Sequence, residues 1–179
     1  MFKLTESVIN SGIENASKIL SEVYPTFQVP NIWSIKVTNA TSYWANIGRD
    51  KKVRSRFGMH ISRTFEKIPD ENLARLRFET CMIHELIHTI PGCNNHGNNF
   101  KRVGRMVKRK YPQYDICRCV SAEEFGVDKA EAKPAKYLIR CEHCNHEYRY
   151  QRKPKYAISE YKCSKCGSDK LKLFTIKIF

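Results

Sequence analysis

The sequence predicts an α+β fold in two modules, and three observations point to it. Apolar residues at helical spacing flank a stretch of short β-prone runs. The longest helical stripe ends at a Pro-Gly pair. Four cysteines form two Cys-x-x-Cys pairs in an aromatic, basic C-terminal segment. A chain of 179 residues with 41% apolar content can bury one full-sized core and still carry a small appendage. The expected division is a main domain over 1–128, a linker over 129–135 and a β-rich module over 136–179.

Val8, Ile9, Ile13, Ala16, Ile19, Leu20 and Val23 recur at helical spacing up to Pro25, so the chain opens with an amphipathic helix that Gly12 weakens. Trp33 to Val37, Tyr43 to Ile47 and Arg56 to Ile61 are β-prone runs separated by Asn39, Gly48 and Asp50, which predicts a small antiparallel sheet. Pro69-Asp70-Glu71 supplies an N-cap and an acidic first turn. Leu73, Leu76, Thr80, Ile83, Ile87 and Ile90 then form a stripe that Pro91-Gly92 ends. A third helix is expected from about Asn98 to Lys110. Phe100, Val103 and Val107 share one face there, and Lys101, Arg102, Arg105, Lys108 and Arg109 occupy the rest. Lys129 to Pro134 reads as a linker.

The 32 Lys and Arg against 18 Asp and Glu leave a formal charge of +14, which favours a polyanionic partner such as nucleic acid or an acidic membrane surface. Met1-Phe2-Lys3-Leu4 runs directly into polar Thr5-Glu6-Ser7, with no signal-peptide pattern and no run long enough to span a bilayer. The expectation is a soluble, cytoplasmic protein. In such a compartment the eight cysteines read first as metal ligands or free thiols rather than disulfides.

His84-Glu85-Leu86-Ile87-His88 is an HExxH pattern inside a predicted helix. Four residues make just over one helical turn, so the two imidazoles lie about 40° apart around the axis and about 6 Å along it. Both can reach one ion. Glu85 projects from the neighbouring sector, where it can take a proton from an attacking water and pass it to a leaving amine. Zinc lowers the pKa of water to roughly 7 and polarises a scissile carbonyl, provided one coordination position stays open. His96 is the economical third ligand, because Pro91-Gly92-Cys93-Asn94-Asn95 can turn the chain straight back. Gly92 and His96 lie four and eight residues after His88, which is not metzincin spacing. The alternative is an accidental pattern in a packed helix, with the histidines satisfied by carboxylates or backbone.

The stretch from His84 to His88, followed by a short turn and His96-Gly97-Asn98-Asn99-Phe100-Lys101, resembles the SprT-like metalloproteases, the family that includes Spartan. The HGxxF element is its more selective part, and the strand ending Met59-His60-Ile61-Ser62 and a trailing cysteine-rich module are similar too. The resemblance covers roughly residues 30 to 179. It implies a zincin-type α+β domain, three zinc ligands matching His84, His88 and His96, and a catalytic glutamate matching Glu85. Spartan-type members degrade proteins trapped on DNA, which implies a protein substrate and DNA as a partner. The turn between His88 and His96 is shorter here than in Spartan, which bears on the crosslink substrate more than on the peptidase chemistry.

Eighteen residues separate Cys141-x-x-Cys144 from Cys163-x-x-Cys166, the spacing of a zinc ribbon with two knuckles closing on one ion. Four thiolates fill the coordination sphere, so this second zinc is structural. Asn145 and Gly167 follow the second cysteine of each pair, where left-handed torsions come easily to these residue types. Strands are expected at 136–140, 147–152 and 171–179. His143 and His146 read as knuckle residues rather than ligands. Residues 136 to 179 hold 11 Lys and Arg and 4 Asp and Glu. Tyr148, Arg149, Tyr150, Arg152 and Lys153, with Lys101, Arg102 and Arg105 from the third helix, are candidate nucleic-acid contacts. A solvated charged face is the equal alternative. Tyr43 and Trp44 read as strand core or groove lining, Cys81 as a buried thiol, Cys93 as a bystander near His96, and His60 as structural. Cys117 and Cys119 lack partners at ribbon spacing.

Overall fold

The computed structural model describes residues 1–116, 121–127 and 134–176. Cys117, Cys119, linker residues 129–133 and the last three positions of the final expected strand lie outside the described residues. The chain divides into two compact units, Met1–Lys129 and Ala130–Phe179.

In the first unit, helix α1 (Glu6–Val23) starts on Thr5, whose hydroxyl accepts the Val8 N–H at 3.3 Å. It buries Ile9, Ala16, Ile19, Leu20 and Val23 against helix α2 (Glu71–Ile87). Gly12 has a use that helix propensity hides. A Cβ there would run into the Phe78 ring of α2, so the glycine sets how closely the two helices approach.

The three β-prone runs form one sheet of β1 (Asn31–Thr38), β2 (Ala45–Arg49) and β3 (Arg56–Ser62). The expected all-antiparallel pairing is wrong. The order is β1-β3-β2, with β1 parallel to β3 and β2 antiparallel to it. β3 takes the centre because Phe57, Met59 and Ile61 are all buried, whereas β1 leaves Trp33 and Ile35 exposed. Alternation within a run fixes which residues share a face, but it does not say which strand lies alongside.

Asp70 caps α2, its carboxylate accepting the Leu73 N–H at 2.9 Å. The helix ends at Ile87, three residues earlier than the stripe suggests, with His88 as its C-cap. The N–H groups of Thr89 and Ile90 fall back on the carbonyls of Leu86 and Ile87 at 3.0 Å, a tightened final turn that uses otherwise orphaned acceptors. Gly92 then takes φ +78°. Burial around α2 extends well beyond one stripe, to Ala74, Arg77, Phe78, Cys81, Met82, Glu85 and Leu86. It is the central helix, in contact with α1, with β2 and with helix α3 (Asn98–Lys110). An aromatic chain of Phe2, Phe78, Phe65 and Trp44, at centroid spacings of 5.6, 5.4 and 4.9 Å, crosses the core beside it.

The second unit has one antiparallel sheet of β4 (Tyr137–Cys141), β5 (Glu147–Tyr150) and β6 (Leu171–Thr175), ordered β5-β4-β6. Asn145 and Gly167 do adopt left-handed torsions, φ +55° and +74°. Ile139, Cys141 and Cys163 are its buried apolar residues among those described. Among the described residues no helix is long and apolar enough to cross a membrane. The fold is mixed α and β, with three α-helices and two three-stranded sheets among the described residues.

Candidate functional site

His84 and His88 sit one turn apart near the end of α2, with ring centroids 5.0 Å apart. His96 reaches them because the chain turns at Gly92 and α3 begins two residues later, at Asn98. The Asn95 side chain accepts the Gly97 N–H at 2.9 Å, which locks the corner. His84 Nε2 and His96 Nε2 are 3.0 Å apart. One ring nitrogen from each of the three residues lies within 4.8 Å of the others. Zinc–nitrogen bonds of about 2.1 Å would set ligand nitrogens roughly 3.4 Å apart in a tetrahedral site, so the trio can hold a metal ion and zinc suits it.

Two supports were not visible in the sequence. His88 Nδ1 donates to the Cys93 carbonyl at 2.8 Å, which leaves the Nε2 lone pair for a metal. Phe100 lies against all three imidazoles, with centroid distances of 4.8, 4.7 and 4.8 Å to His84, His88 and His96. A single ring carried by α3 thus orients the whole cluster, which is a physical reason for a phenylalanine four residues after His96. The Cys93 thiol is buried, and burial pushes its pKa up, with Arg102 opposing. Its contribution is the carbonyl. His60 is exposed on β3 and belongs to neither metal-capable group.

Glu85 is 6% exposed. Burial pushes its carboxyl up to about 8, against a hydrogen bond from the Ile47 N–H of β2. With the three histidines it lines a cleft of about 600 Å³, walled by α2 residues Arg77 and Cys81 and by residues 42–49. Tyr43 and Trp44 therefore line the groove, and Trp44 also packs on Phe65. β2 is the sheet edge on this side. Trp44 O accepts from Ser62 N–H, and Asp50 N–H donates to Arg56 O. The even-numbered residues hence bond to β3, while Ala45, Ile47 and Arg49 turn their backbone groups outward.

In the second unit, Cys141, Cys144, Cys163 and Cys166 bring their sulfurs within 4.8 Å of one another. Cys141 to Cys166 and Cys144 to Cys163 are each 3.6 Å. That is too long for a disulfide and close to the roughly 3.8 Å edge of a tetrahedron with zinc–sulfur bonds of about 2.3 Å. The Tyr148 hydroxyl, 3.2 Å from the sulfur, holds Cys163 down to about 5. Although the Ser168 N–H draws it down, burial and the three neighbouring sulfurs push Cys166 up to about 12. Four thiols that cannot all ionise together are a donor set that a dication completes. His143 is exposed and His146 packs edge-on against Tyr148 at 4.7 Å.

The suggested nucleic-acid contacts are spread over both units. Lys101, Arg102 and Arg105 are exposed on α3. Arg149, Tyr150, Arg152 and Lys153 are exposed on and after β5, with Arg149 3.5 Å from Glu147. Tyr148 is half-buried, and its hydroxyl lies 3.2 Å from the Cys163 sulfur and accepts the Ser164 N–H at 2.9 Å. Comparison with protein-family models, with curated proteins and with solved structures found no match.

Proposed function

We propose that the chain is a zinc-dependent endopeptidase of the SprT-like kind, acting on proteins associated with DNA. The observation that carries this reading is the convergence of His84, His88, His96 and the buried Glu85 on one cleft beside the open edge of β2. His84, His88 and His96 would hold the ion, and a bound zinc supplies Lewis acidity for the scissile carbonyl and for water. The rest follows from the chain's own groups. An extended peptide can add to the β2 edge through the backbone of Ala45 and Arg49 and the Ile47 carbonyl, the Ile47 N–H being held by Glu85, which lays it along the cleft. Glu85, fixed by the Ile47 N–H, takes the proton of the attacking water and returns it to the departing amine. Burial alone holds Glu85 in its protonated form at pH 7, and the positive charge of a bound dication would favour the carboxylate that accepts the proton. Phe100 and the Cys93 carbonyl keep the imidazoles in place while this happens.

The test is digestion of casein or histone by the zinc-loaded protein, with and without single-stranded DNA, alongside Glu85→Gln. Wild type should cleave, and Glu85→Gln should retain zinc while losing activity by a factor of about 10²–10⁴ or more. Equal cleavage by both proteins would refute the assignment of Glu85.

A second reading, a nucleic-acid-binding protein without turnover, is favoured by one observation. Lys101, Arg102 and Arg105 are exposed and make no ion pair among the described residues. It predicts DNA affinity that falls steeply with salt together with no digestion of any protein substrate.

A further inference from the structure

Arg77 is 9% exposed, and its Nε–H has no hydrogen-bond partner among the described residues. No carboxylate among the described residues pairs with it. Its guanidinium lies 5.1 Å from the Trp44 ring centroid and 5.4 Å from that of Phe125. Trp44 is itself fixed against Phe65 and meets Phe125 edge-on at 5.7 Å. The guanidinium stays charged at any accessible pH, and two aromatic faces compensate only part of what it loses by leaving water. A buried cation with an unused donor is a group short of an acceptor.

The side chain lines the same cleft as Glu85 and the three histidines. It stands seven residues before His84 on α2, which is about 10 Å along the axis and on nearly the same face. Along an extended chain that distance is about three residues. Arg49 lines the cleft as well, and Glu85 is the sole acid among its described lining residues. Resting on the peptidase reading, we infer that Arg77, held against Trp44 and Phe125, forms a subsite that takes a carboxylate of the bound peptide about three residues from the scissile bond. The fork of the guanidinium matches a carboxylate in two parallel hydrogen bonds, a fit that Lys lacks. An acidic side chain and a C-terminal carboxylate present the same chemistry to it.

The probes are nine-residue peptides of three kinds. One set carries a single Glu, scanned through the sequence, with an amidated C-terminus. A second peptide has Gln in its place and the same amide, and a third has Gln and a free C-terminal carboxylate. They are titrated into zinc-loaded, full-length Glu85→Gln protein, which holds peptide without turnover. One carboxylate-bearing kind should bind at least tenfold more tightly than the Gln amide, and which kind does so identifies the source. Arg77→Gln should abolish that gain, and Arg77→Lys should lose most of it. Because Arg77 is buried and its variants can unfold, Trp44 gives a readout with Arg77 intact. In a Trp33→Phe background it is the single indole, Trp33 being exposed. Its fluorescence should shift with the tighter peptide and not with the Gln amide. Equal affinity of all three kinds, a preference that survives Arg77→Gln, or no Trp44 response would overturn the subsite. If wild type cleaves nothing while the Arg77-dependent preference persists, the peptidase reading falls and the subsite stands.

Discussion

The two units place their metal-capable groups in opposite relations to the rest of the fold. In the first, three imidazoles rest on Phe100 and on a helix buried among α1, β2 and α3. The core there runs from Phe2 to Val127. In the second, Cys141 and Cys163 are themselves two of the three buried apolar residues among those described. One group is an attachment to a finished core and the other is most of the core. A site that must stay open to substrate needs a scaffold that stands without it, whereas a closed four-sulfur site can be the scaffold.

The largest expected effect separates the two. Cys163→Ser, or chelation of the ion held by the four cysteines, should unfold the second unit, since metal binding in comparable small modules is worth roughly 10 kcal/mol or more. The first unit should keep its dispersed NMR signals. Joint collapse of both, or survival of the second, would break the contrast.

A smaller effect is confined to the first unit. Glu85 has a folded-state pKa raised to about 8, so burial costs nothing below its unfolded value near pH 4.5. The cost grows as pH rises through that window and levels off above about 8. In metal-free protein Glu85→Gln should therefore be more stable than wild type by on the order of 3 kcal/mol at pH 7. The difference should vanish in denaturant titrations at pH 4.

How much of this was legible in the sequence follows from locality. The His84–His88 pair, the Asp70 cap and the left-handed Asn145 and Gly167 depend on neighbours within a few residues, and the sequence showed them. The parallel pairing of β1 with β3, the use of Gly12 and the meeting of Arg77 with Trp44 and Phe125 join distant segments, and no local pattern records them. Phe100 falls between. Its place after His96 was visible, but its contact with all three rings required the fold. Arg77 left one unread signal, a cation two turns ahead of His84 on a helix face otherwise destined for burial.

Gly12→Ala should cost about 1–3 kcal/mol, because the added methyl forces the Phe78 ring aside in a packed core. Thermal unfolding would show it, and an unchanged midpoint would mean that α1 and α2 are not locked by close approach. The smallest effect returns to the second unit. Tyr148→Phe removes a hydroxyl 3.2 Å from Cys163 Sγ and should weaken metal retention by about 1 kcal/mol. Competition with a chromophoric chelator can measure this.

Anomalous diffraction at the zinc edge from zinc-saturated crystals tests most directly whether the chain holds two metal sites of different character. Two peaks are predicted. One should lie among His84, His88 and His96 with three protein ligands and a position left for water, and the other among Cys141, Cys144, Cys163 and Cys166 with four. A peak at the cysteines alone, with the three histidines bare at saturating zinc, would contradict the account.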